Sequence, residues 1–259
     1  MKVKMDEVDY WNKIALKFKH NHKNLCIDLY YYLINLYSSV VMRIIKNTKN
    51  AVITDLKILK TDLWEEYVSQ HIGIGSVYRN IKKLNNEIFI VGIDLSSIVC
   101  SSSKKEVEYV VNGDIRSLPF ADNSFDLILD LSTLDHISDD QVEAVLQEYR
   151  RCLRNRGLIV VIFDSYSNLI KKIINNEEYY FNFEKDFIVK KLKKLGFVII
   201  FTGYLIWTWP VFNLLLKLRF LRHFVIRVII KIEILLLPIS FLFKAISRQC
   251  LIIAFINKY

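Results

Sequence analysis

The chain has 259 residues, of which 53% are apolar and 24% charged, and its formal net charge is +9. This composition excludes a mainly disordered protein, and the length suffices for one substantial hydrophobic core. The four cysteines are far apart and form no C-x-x-C pair, so we predict neither a disulfide framework nor a metal site. The first residues, MKVKMDEVDYWNK, mix acids with bases, and we therefore expect no secretory signal and a cytoplasmic location.

Two helices are predicted in residues 1–50, where apolar side chains recur at helical spacing without Gly or Pro. Within them, Tyr30, Tyr31 and Tyr32 cannot all face one way, so part of this run is expected to cover a site or a partner. From residue 51 to residue 259, apolar runs such as EIFIVGIDLS and FDLILDLS alternate with helical segments. That alternation predicts one α/β domain with a mostly parallel sheet and helices on its faces.

The helix DDQVEAVLQEYRRCLRN is predicted to begin after an N-cap at Ser138 and to end at Gly157. A glycine at that point is free to adopt the left-handed conformation that closes many helices. The strand GLIVVIFD follows, and the strands FVIIFTGYLI and RQCLIIAFINKY complete the predicted sheet.

A basic and strongly apolar segment, residues 204–247, separates the last two predicted strands. From Tyr204 to Tyr259 there are eight Lys or Arg and a single acid, Glu233. Basic residues within an apolar run are typical of the surface of an anionic membrane, whereas a nucleic-acid surface sets them among small polar residues. Pro210 interrupts the longest uncharged stretch, which favours lying in the membrane interface over spanning it. The alternative is a helical cap buried against the core or a dimer partner, and the same choice applies to the aromatic residues Tyr204, Trp207, Trp209 and Phe212.

Acidic residues follow several predicted strands, where open α/β sheets bind their ligands. Asp94 ends the second strand, and a carboxylate there can accept hydrogen bonds from both hydroxyls of a ribose. Asp114 follows the third strand, where its carboxylate can accept from an adenine amine while the N–H of Ile115 reaches a ring nitrogen. Asp62 follows the first strand and Asp130 lies in the fourth. Asp94 and Asp114 together predict an adenosine site.

The segments GIDLS (92–96), GDIRSLPFADNSFDLIL (113–129) and STLDHI (132–137) resemble class I S-adenosylmethionine-dependent methyltransferases of the small-molecule, methyltransferase-11-like type. The resemblance covers residues 55–165. It implies a Rossmann-like sheet that is mostly parallel with an antiparallel last strand, and S-adenosyl-L-methionine as the cofactor. On this mapping, residues 51–259 are the methyltransferase domain, and residues 204–247 are an insertion near the mouth of its active site.

The resemblance also implies roles for individual residues. Asp94, Leu95, Asp114, Ile115 and Asp130 are assigned to cofactor binding. The family has a Gly-x-Gly turn after its first strand, whereas this chain has ILKTDLWEE there, so Asp62 or Glu65 is expected to pair with the cofactor's amino group. Asp135 and His136 follow the fourth strand on the acceptor side, where a histidine can take a proton from an acceptor hydroxyl or amine.

These observations predict methyl transfer to a small-molecule or membrane-associated acceptor such as a lipid, a quinone-like ring or a lipid-linked glycan. We expect a protein on the inner face of the membrane, bound to its anionic surface through residues 204–247 and not to nucleic acid. An alternative is a catalytically inactive protein of the same fold that acts as a membrane-recruited scaffold or partner subunit. A dinucleotide enzyme is disfavoured, because the sequence has no G-x-G-x-x-G after a strand. Gly73 and Gly75 lie between two helical segments, which indicates a surface turn. The oligomeric state is left open.

Overall fold

A computed structural model describes residues 6–21, 27–47, 55–165, 181, 183–208 and 222–258. Within these ranges, helices and strands alternate from the end of the second helix onward. In chain order the elements are α1 (Glu7–Asn21), α2 (Ile27–Asn47), β1 (Lys57–Lys60), α3 (Trp64–Ile72), α4 (Val77–Leu84), β2 (Phe89–Asp94), α5 (Ser97–Ser103), β3 (Tyr109–Asn112), β4 (Phe125–Leu131), α6 (Val142–Cys152), β5 (Leu153–Asp164), α7 (Lys185–Lys194), β6 (Phe197–Leu205), α8 (Arg222–Leu236) and β7 (Gln249–Ile256). Short 3-10 segments cover Leu134–His136 and Leu237–Ile246.

The strands form one seven-stranded sheet in the order β3-β2-β1-β4-β5-β7-β6. β1 pairs in parallel with β2 on one side and with β4 on the other, so that Ile58 lies between Ile90 and Leu127. β7 is antiparallel to both of its neighbours, β5 and β6. The predicted mostly parallel sheet with an antiparallel last strand is therefore confirmed. The strand order reverses between β1 and β4, which is where ligands bind in open α/β sheets.

Helices cover both faces of the sheet. Helices α1 to α5 and α8 contribute to the core on one face, and α6 and α7 contribute to the core on the other. In α6 the buried side chains Val142, Val145, Leu146 and Tyr149 recur at helical spacing, so one stripe of the helix packs on the sheet. β4 is buried along nearly its whole length, because helices lie on both of its faces.

The first two helices form part of the same core as the sheet. Phe18 of α1 and Tyr32 of α2 are buried in one cluster with residues of β1 and α3. The hydroxyl of Tyr67 donates to the carbonyl of Ala15 at 2.6 Å. The two predicted N-terminal helices are present, and they pack on the sheet through buried apolar side chains.

The boundary between α6 and β5 differs from the prediction. The helix ends at Cys152, and Arg154, Arg156 and Gly157 already belong to β5. The residue with a left-handed backbone is Arg156, at φ 62°. Gly157 serves a steric need instead, because a Cβ there would lie 2.8 Å from the carbonyl oxygen of Arg154. The start differs as well: the chain forms a turn at Ser138, whose carbonyl accepts from the N–H of Val142, and the helix begins at Val142.

The predicted insertion lies between β6 and β7. Tyr204 is a core residue at the end of β6, and Trp207 stacks on Phe243 at 4.1 Å between ring centroids. Residues 209–221, which include Trp209, Pro210 and Phe212, lie outside the described residues. No helix in the part of the chain that the structure describes combines the length and the apolarity needed to cross a bilayer.

Candidate active site

A cavity of about 380 Å³ lies at the carboxyl ends of β1 to β5, where the strand order reverses. Much of its lining comes from residues at or shortly after the ends of these strands. These are Thr61, Asp62 and Glu65 after β1, Asp94, Leu95 and Ser96 at β2, Asp114, Ile115 and Arg116 after β3, Ser132, Thr133 and His136 after β4, and Asp164 at the end of β5. Aromatic and aliphatic side chains of α1 and α2 close the opposite side.

The turn after β1 is built around a buried lysine. The side chain of Lys60 is 1% exposed, and its Nζ lies 2.5 Å from Glu65 Oε2 and 3.1 Å from Glu66 Oε2. Nζ also donates to the carbonyl of Asp62 at 2.6 Å and lies 3.5 Å from the carboxylate of that residue. Lys60 therefore holds the start of α3 against the end of β1, at the position where the resembled family has its glycine turn.

Three carboxyl groups surround this single ammonium group. Burial alone would lower the pKa of Lys60, but attraction by Asp62, Glu65 and Glu66 outweighs burial and raises it, so the lysine is charged. Burial raises the pKa of Glu65, and the neighbouring Asp62 adds to that shift. Asp62 and Glu65 line the cavity. An excess of acidic groups over bases at a partly desolvated wall favours a cationic ligand such as an ammonium or a sulfonium.

Asp94 reaches the cavity from the end of β2. Its Oδ2 accepts from the N–H of Leu63 at 3.0 Å, and its Oδ1 accepts from the N–H of Ser96 at 2.8 Å. Burial raises the pKa of Asp94 to about 7, although the bond from Leu63 opposes the shift. Each carboxylate oxygen has two lone pairs, so each keeps one position for a further donor. The side chain can thus accept two hydroxyl groups, as a ribose requires.

The approach of Leu63 to β2 depends on a glycine. A Cβ on Gly92 would lie 2.3 Å from Cδ2 of Leu63. The missing side chain lets the β1–α3 turn lie against β2, which places the N–H of Leu63 beside Asp94. The resembled family has glycines after its first strand to allow a close approach. In this chain Gly92, in the second strand, makes room for the side chain of Leu63.

Asp114 lies at the cavity, but it already has a partner. The guanidinium of Arg116 binds both of its oxygens, with Nε at 2.9 and 2.8 Å and Nη2 at 2.6 Å. Arg116 also pairs with Glu7 of α1 at 2.9 Å. The predicted contact of Asp114 with an adenine amine is therefore not preformed, because the carboxylate is bound to Arg116. Ile115 is buried and lines the cavity beside it.

Two predicted site residues, Asp130 and Asp135, do not line the cavity. Asp130 is fully buried, where it accepts from the N–H groups of Thr133 and Leu134 and from the hydroxyl of Tyr149. It fixes the turn after β4. Asp135 is also fully buried and accepts from the hydroxyl of Ser132 and the N–H of Asp164. It joins the ends of β4 and β5, which is a positioning contact.

His136 lines the cavity. Its ring packs edge-on against Trp11 of α1, with 4.6 Å between centroids. Asp135 precedes His136 in the chain. Burial raises the pKa of the Asp135 carboxyl to about 6, while His136 opposes the shift. The structure thus brings His136, Asp94, Asp62 and Glu65 to one cavity.

Several cavity residues were not found from the sequence. Trp11, Tyr37, Arg248 and Gln249 also line the cavity. The hydroxyl of Tyr37 donates to Gln249 Oε1 at 2.9 Å, and Arg248 lies 3.6 Å from Asp164. Only tertiary folding joins these distant segments. Lys60 did carry a signal, since a lysine at the end of a central parallel strand is rarely buried without partners.

Comparison with known proteins agrees with this architecture. A family model described as a methyltransferase domain matches residues 71–161. An uncharacterised protein of Methanocaldococcus jannaschii is 32% identical over 131 residues, which cover 51% of this chain and 54% of that protein. Demethylmenaquinone methyltransferase of Thermotoga maritima is 34% identical over 101 residues, covering 38% of this chain and 43% of that enzyme. The match thus spans about half the length of these relatives.

Solved structures show the same fold over a longer range. The 1,6-didemethyltoxoflavin-N1-methyltransferase of Burkholderia thailandensis, whose structure contains S-adenosylhomocysteine, superimposes with a TM-score of 0.56 and 11% identity. That superposition covers 100% of this chain and 94% of the other. Sheet order and the antiparallel last strand agree with these structures: the chain has the fold of class I S-adenosylmethionine-dependent methyltransferases, and its residues 71–161 match the methyltransferase domain model.

Proposed function

We propose that this protein is an S-adenosylmethionine-dependent methyltransferase acting on a small-molecule or membrane-associated acceptor. The observation that carries the proposal is the cavity itself. At the reversal point of the sheet it sets an acidic turn, Asp62 and Glu65, beside a carboxyl group, Asp94, that has free acceptor positions. The cofactor of this class carries an ammonium group, a sulfonium and a ribose, and these two acidic features match all three in charge and hydrogen bonding.

The residues that would hold the cofactor follow from that match. Asp94 accepts the ribose hydroxyls, Leu95 and Ile115 pack beside the base, and the surplus acid of Asp62 and Glu65 attracts the ammonium group. When bound, S-adenosylmethionine supplies an electrophilic methyl group. The chain itself positions the acceptor and accepts its proton, which is most of what this chemistry requires of a protein.

The acceptor side is formed by His136, the aromatic residues of α1 and α2, and the pair Arg248–Asp164. His136 lines the cavity, and its imidazole can act as a general base that takes the proton from an acceptor hydroxyl or amine. Trp11, Tyr30 and Tyr37 give this side an aromatic surface. A flat ring suits such a surface. The name of the Thermotoga maritima relative, demethylmenaquinone methyltransferase, indicates a quinone-like substrate of this kind for that enzyme.

A second candidate function is a scaffold of the same fold without activity. Two observations favour it: Lys60 already neutralises part of the acidic turn, and Arg116 occupies the carboxylate of Asp114. Such a scaffold can bind S-adenosylhomocysteine or lack cofactor binding. In either case it transfers no methyl group to any acceptor in a lipid extract. Turnover therefore separates the two functions.

The test is calorimetric titration of the full chain with S-adenosylhomocysteine. We expect saturable binding, and we expect Asp94→Asn to weaken it about 10- to 100-fold, because the amide loses an acceptor and leaves polar groups unpaired. The matched control is Asp139→Asn, an exposed residue outside the cavity lining, which should bind as the parent does. Absence of binding to the parent protein, or equal binding by Asp94→Asn, contradicts the proposal. Transfer of a labelled methyl group to a lipid extract then decides between enzyme and scaffold.

A further inference from the structure

Helix α8 is apolar on two opposite faces. One face carries Ile226, Ile229, Ile230 and Glu233, all buried against the rest of the protein. Helices that are apolar all round are normally enclosed by protein or lipid. The second face of α8 is not enclosed by the described part of the chain.

The exposed face carries large apolar side chains at helical spacing. Phe224 is 66% exposed and Leu235 is 74% exposed, and Val228 and Ile232 lie between them on the same face. The 3-10 segment after α8 continues the pattern, with Phe241 at 63% and Leu242 at 65% exposure. Continuous exposed apolar surface of this kind marks an interaction site. We call these six residues the apolar strip.

The charged side chains that are exposed on α8 and on the 3-10 segment are of one sign. Arg227 and Lys231 are exposed on the same side of α8, and Lys244 is exposed in the 3-10 segment. The one acid in residues 222–246 is Glu233, which is buried on the opposite face. Its carboxylate accepts from the hydroxyls of Tyr32 and Thr208, each at 2.7 Å. The exposed side of α8 and of the 3-10 segment therefore combines apolar side chains with charged side chains that are all basic.

We propose that the apolar strip binds the surface of an anionic lipid bilayer, with α8 lying in the interface plane. Apolar residues enter the boundary between headgroups and acyl chains, and Arg227, Lys231 and Lys244 face the lipid phosphates. A second copy of the chain is a poorer occupant. A symmetric contact through this face brings the same basic residues of both copies together without a compensating exposed acid.

The position of α8 links this surface to the cavity. Tyr32 joins α2 to Glu233, and Arg43 of α2 donates to the carbonyl of Ile234 at 2.9 Å. The same helix α2 lines the cavity through Tyr30 and Tyr37. A bilayer bound at the apolar strip thus lies on a helix that packs directly against α2, which covers the acceptor side. Membrane binding does not itself depend on the proposed methyl transfer.

The experiment is co-sedimentation of the full chain with vesicles of phosphatidylcholine containing one quarter phosphatidylglycerol. We expect binding that falls steeply in vesicles of phosphatidylcholine alone and in high salt. The double variant Leu235→Ser with Leu242→Ser should bind about tenfold or more weakly. The double variant Lys231→Gln with Lys244→Gln should lose about fivefold per residue, so about 25-fold in all.

Each variant has a matched control on another surface. Val198→Ser with Ile200→Ser removes two exposed apolar residues from the edge strand β6, and Lys190→Gln with Lys193→Gln removes two exposed lysines from α7. Both controls should bind vesicles as the parent does. Circular dichroism checks that all four proteins are folded.

Equal sedimentation of the parent with anionic and neutral vesicles, no sedimentation with either, or equal loss in the controls overturns the proposal. So does a dimer in analytical ultracentrifugation that Leu235→Ser dissociates, because a second copy then occupies the apolar strip. Titration with S-adenosylhomocysteine in the absence of vesicles reports on the proposed function separately, and the apolar-strip variants should retain that binding.

Discussion

Asp94 is a half-buried carboxyl group at the end of β2, and Asp130 is a fully buried one in β4; they differ in what they face. Asp94 accepts one backbone N–H on each oxygen and has acceptor positions directed at the cavity. Asp130 accepts two N–H groups on one oxygen and the Tyr149 hydroxyl on the other. The same residue type therefore lines a cavity with acceptor positions available in one case and braces a turn in the other.

Asp130→Asn tests the bracing role through pH. Burial raises the pKa of Asp130 to about 7, so the folded state binds this proton more tightly than the unfolded state does. Stability from this group is complete below about pH 4, the unfolded pKa, and is lost as the pH rises through 7. An asparagine does not titrate. Between pH 5 and pH 8 we therefore expect the free energy of unfolding of Asp130→Asn to fall by about 1–2 kcal/mol less than that of the parent protein.

Urea denaturation across that pH range measures the difference, with Asp139→Asn as the exposed control. Parallel pH profiles for the parent and Asp130→Asn contradict the assignment. Asp130→Asn should also bind S-adenosylhomocysteine as tightly as the parent, because the side chain lies outside the cavity lining.

At the scale of elements, the β1–α3 turn is held by an ion cluster where the family uses glycines. The ammonium of Lys60 contacts carboxylates of Glu65 and Glu66 and the carbonyl of Asp62. Buried ions are tolerated only when they are paired and hydrogen-bonded. The conformation of the β1–α3 turn therefore depends on the ion pairs and the hydrogen bond of Lys60.

Lys60→Met should destabilise the protein by about 3–5 kcal/mol, because it leaves three acids desolvated without a counter-ion. Lys57→Met, at the exposed start of the same strand, is the matched control and should change stability little. Adding Glu66→Gln to Lys60→Met should restore part of the loss. Chemical denaturation at pH 7 measures all three variants, and equal stability of Lys60→Met and Lys57→Met refutes the role of the cluster.

At the scale of the whole molecule, the cavity joins parts of the chain that are far apart in sequence. Helices α1 and α2 cover it from one side, the ends of β1 to β5 form its floor, and Arg248 and Gln249 reach it from the start of β7. A ligand that contacts all of these segments stabilises the folded state as one unit.

Saturating S-adenosylhomocysteine should therefore raise the melting temperature. At a ligand concentration 100 times the Kd, the stabilisation is about 2.7 kcal/mol, which corresponds to a rise of about 5–10 °C for a chain of this size. Differential scanning calorimetry measures the shift, with NAD at the same concentration as the control ligand. A rise with NAD but none with S-adenosylhomocysteine favours a dinucleotide enzyme instead.

The sequence by itself determined the sheet and the place of the site. Period-2 and continuous apolar runs define strands, their alternation with helices defines a parallel sheet, and acids after strands point to its carboxyl edge. Asp94 could be found this way because its role follows from its position at the end of one strand. The alternation cannot show which way a side chain turns, so Asp130 and Asp135 were assigned to the cavity although both are buried beneath it.

Only the tertiary structure decided which side chains pair with one another. Lys60 with its acids, Arg116 with Asp114 and Glu7, and Tyr37 with Gln249 are contacts set by packing. The same holds for α6, which ends before Gly157 because β5 begins to pair with β4 at Leu153. Local sequence carries the preference of a segment for helix or strand. Which charges meet across the fold depends on how all of the elements pack, and that is a property of the whole chain.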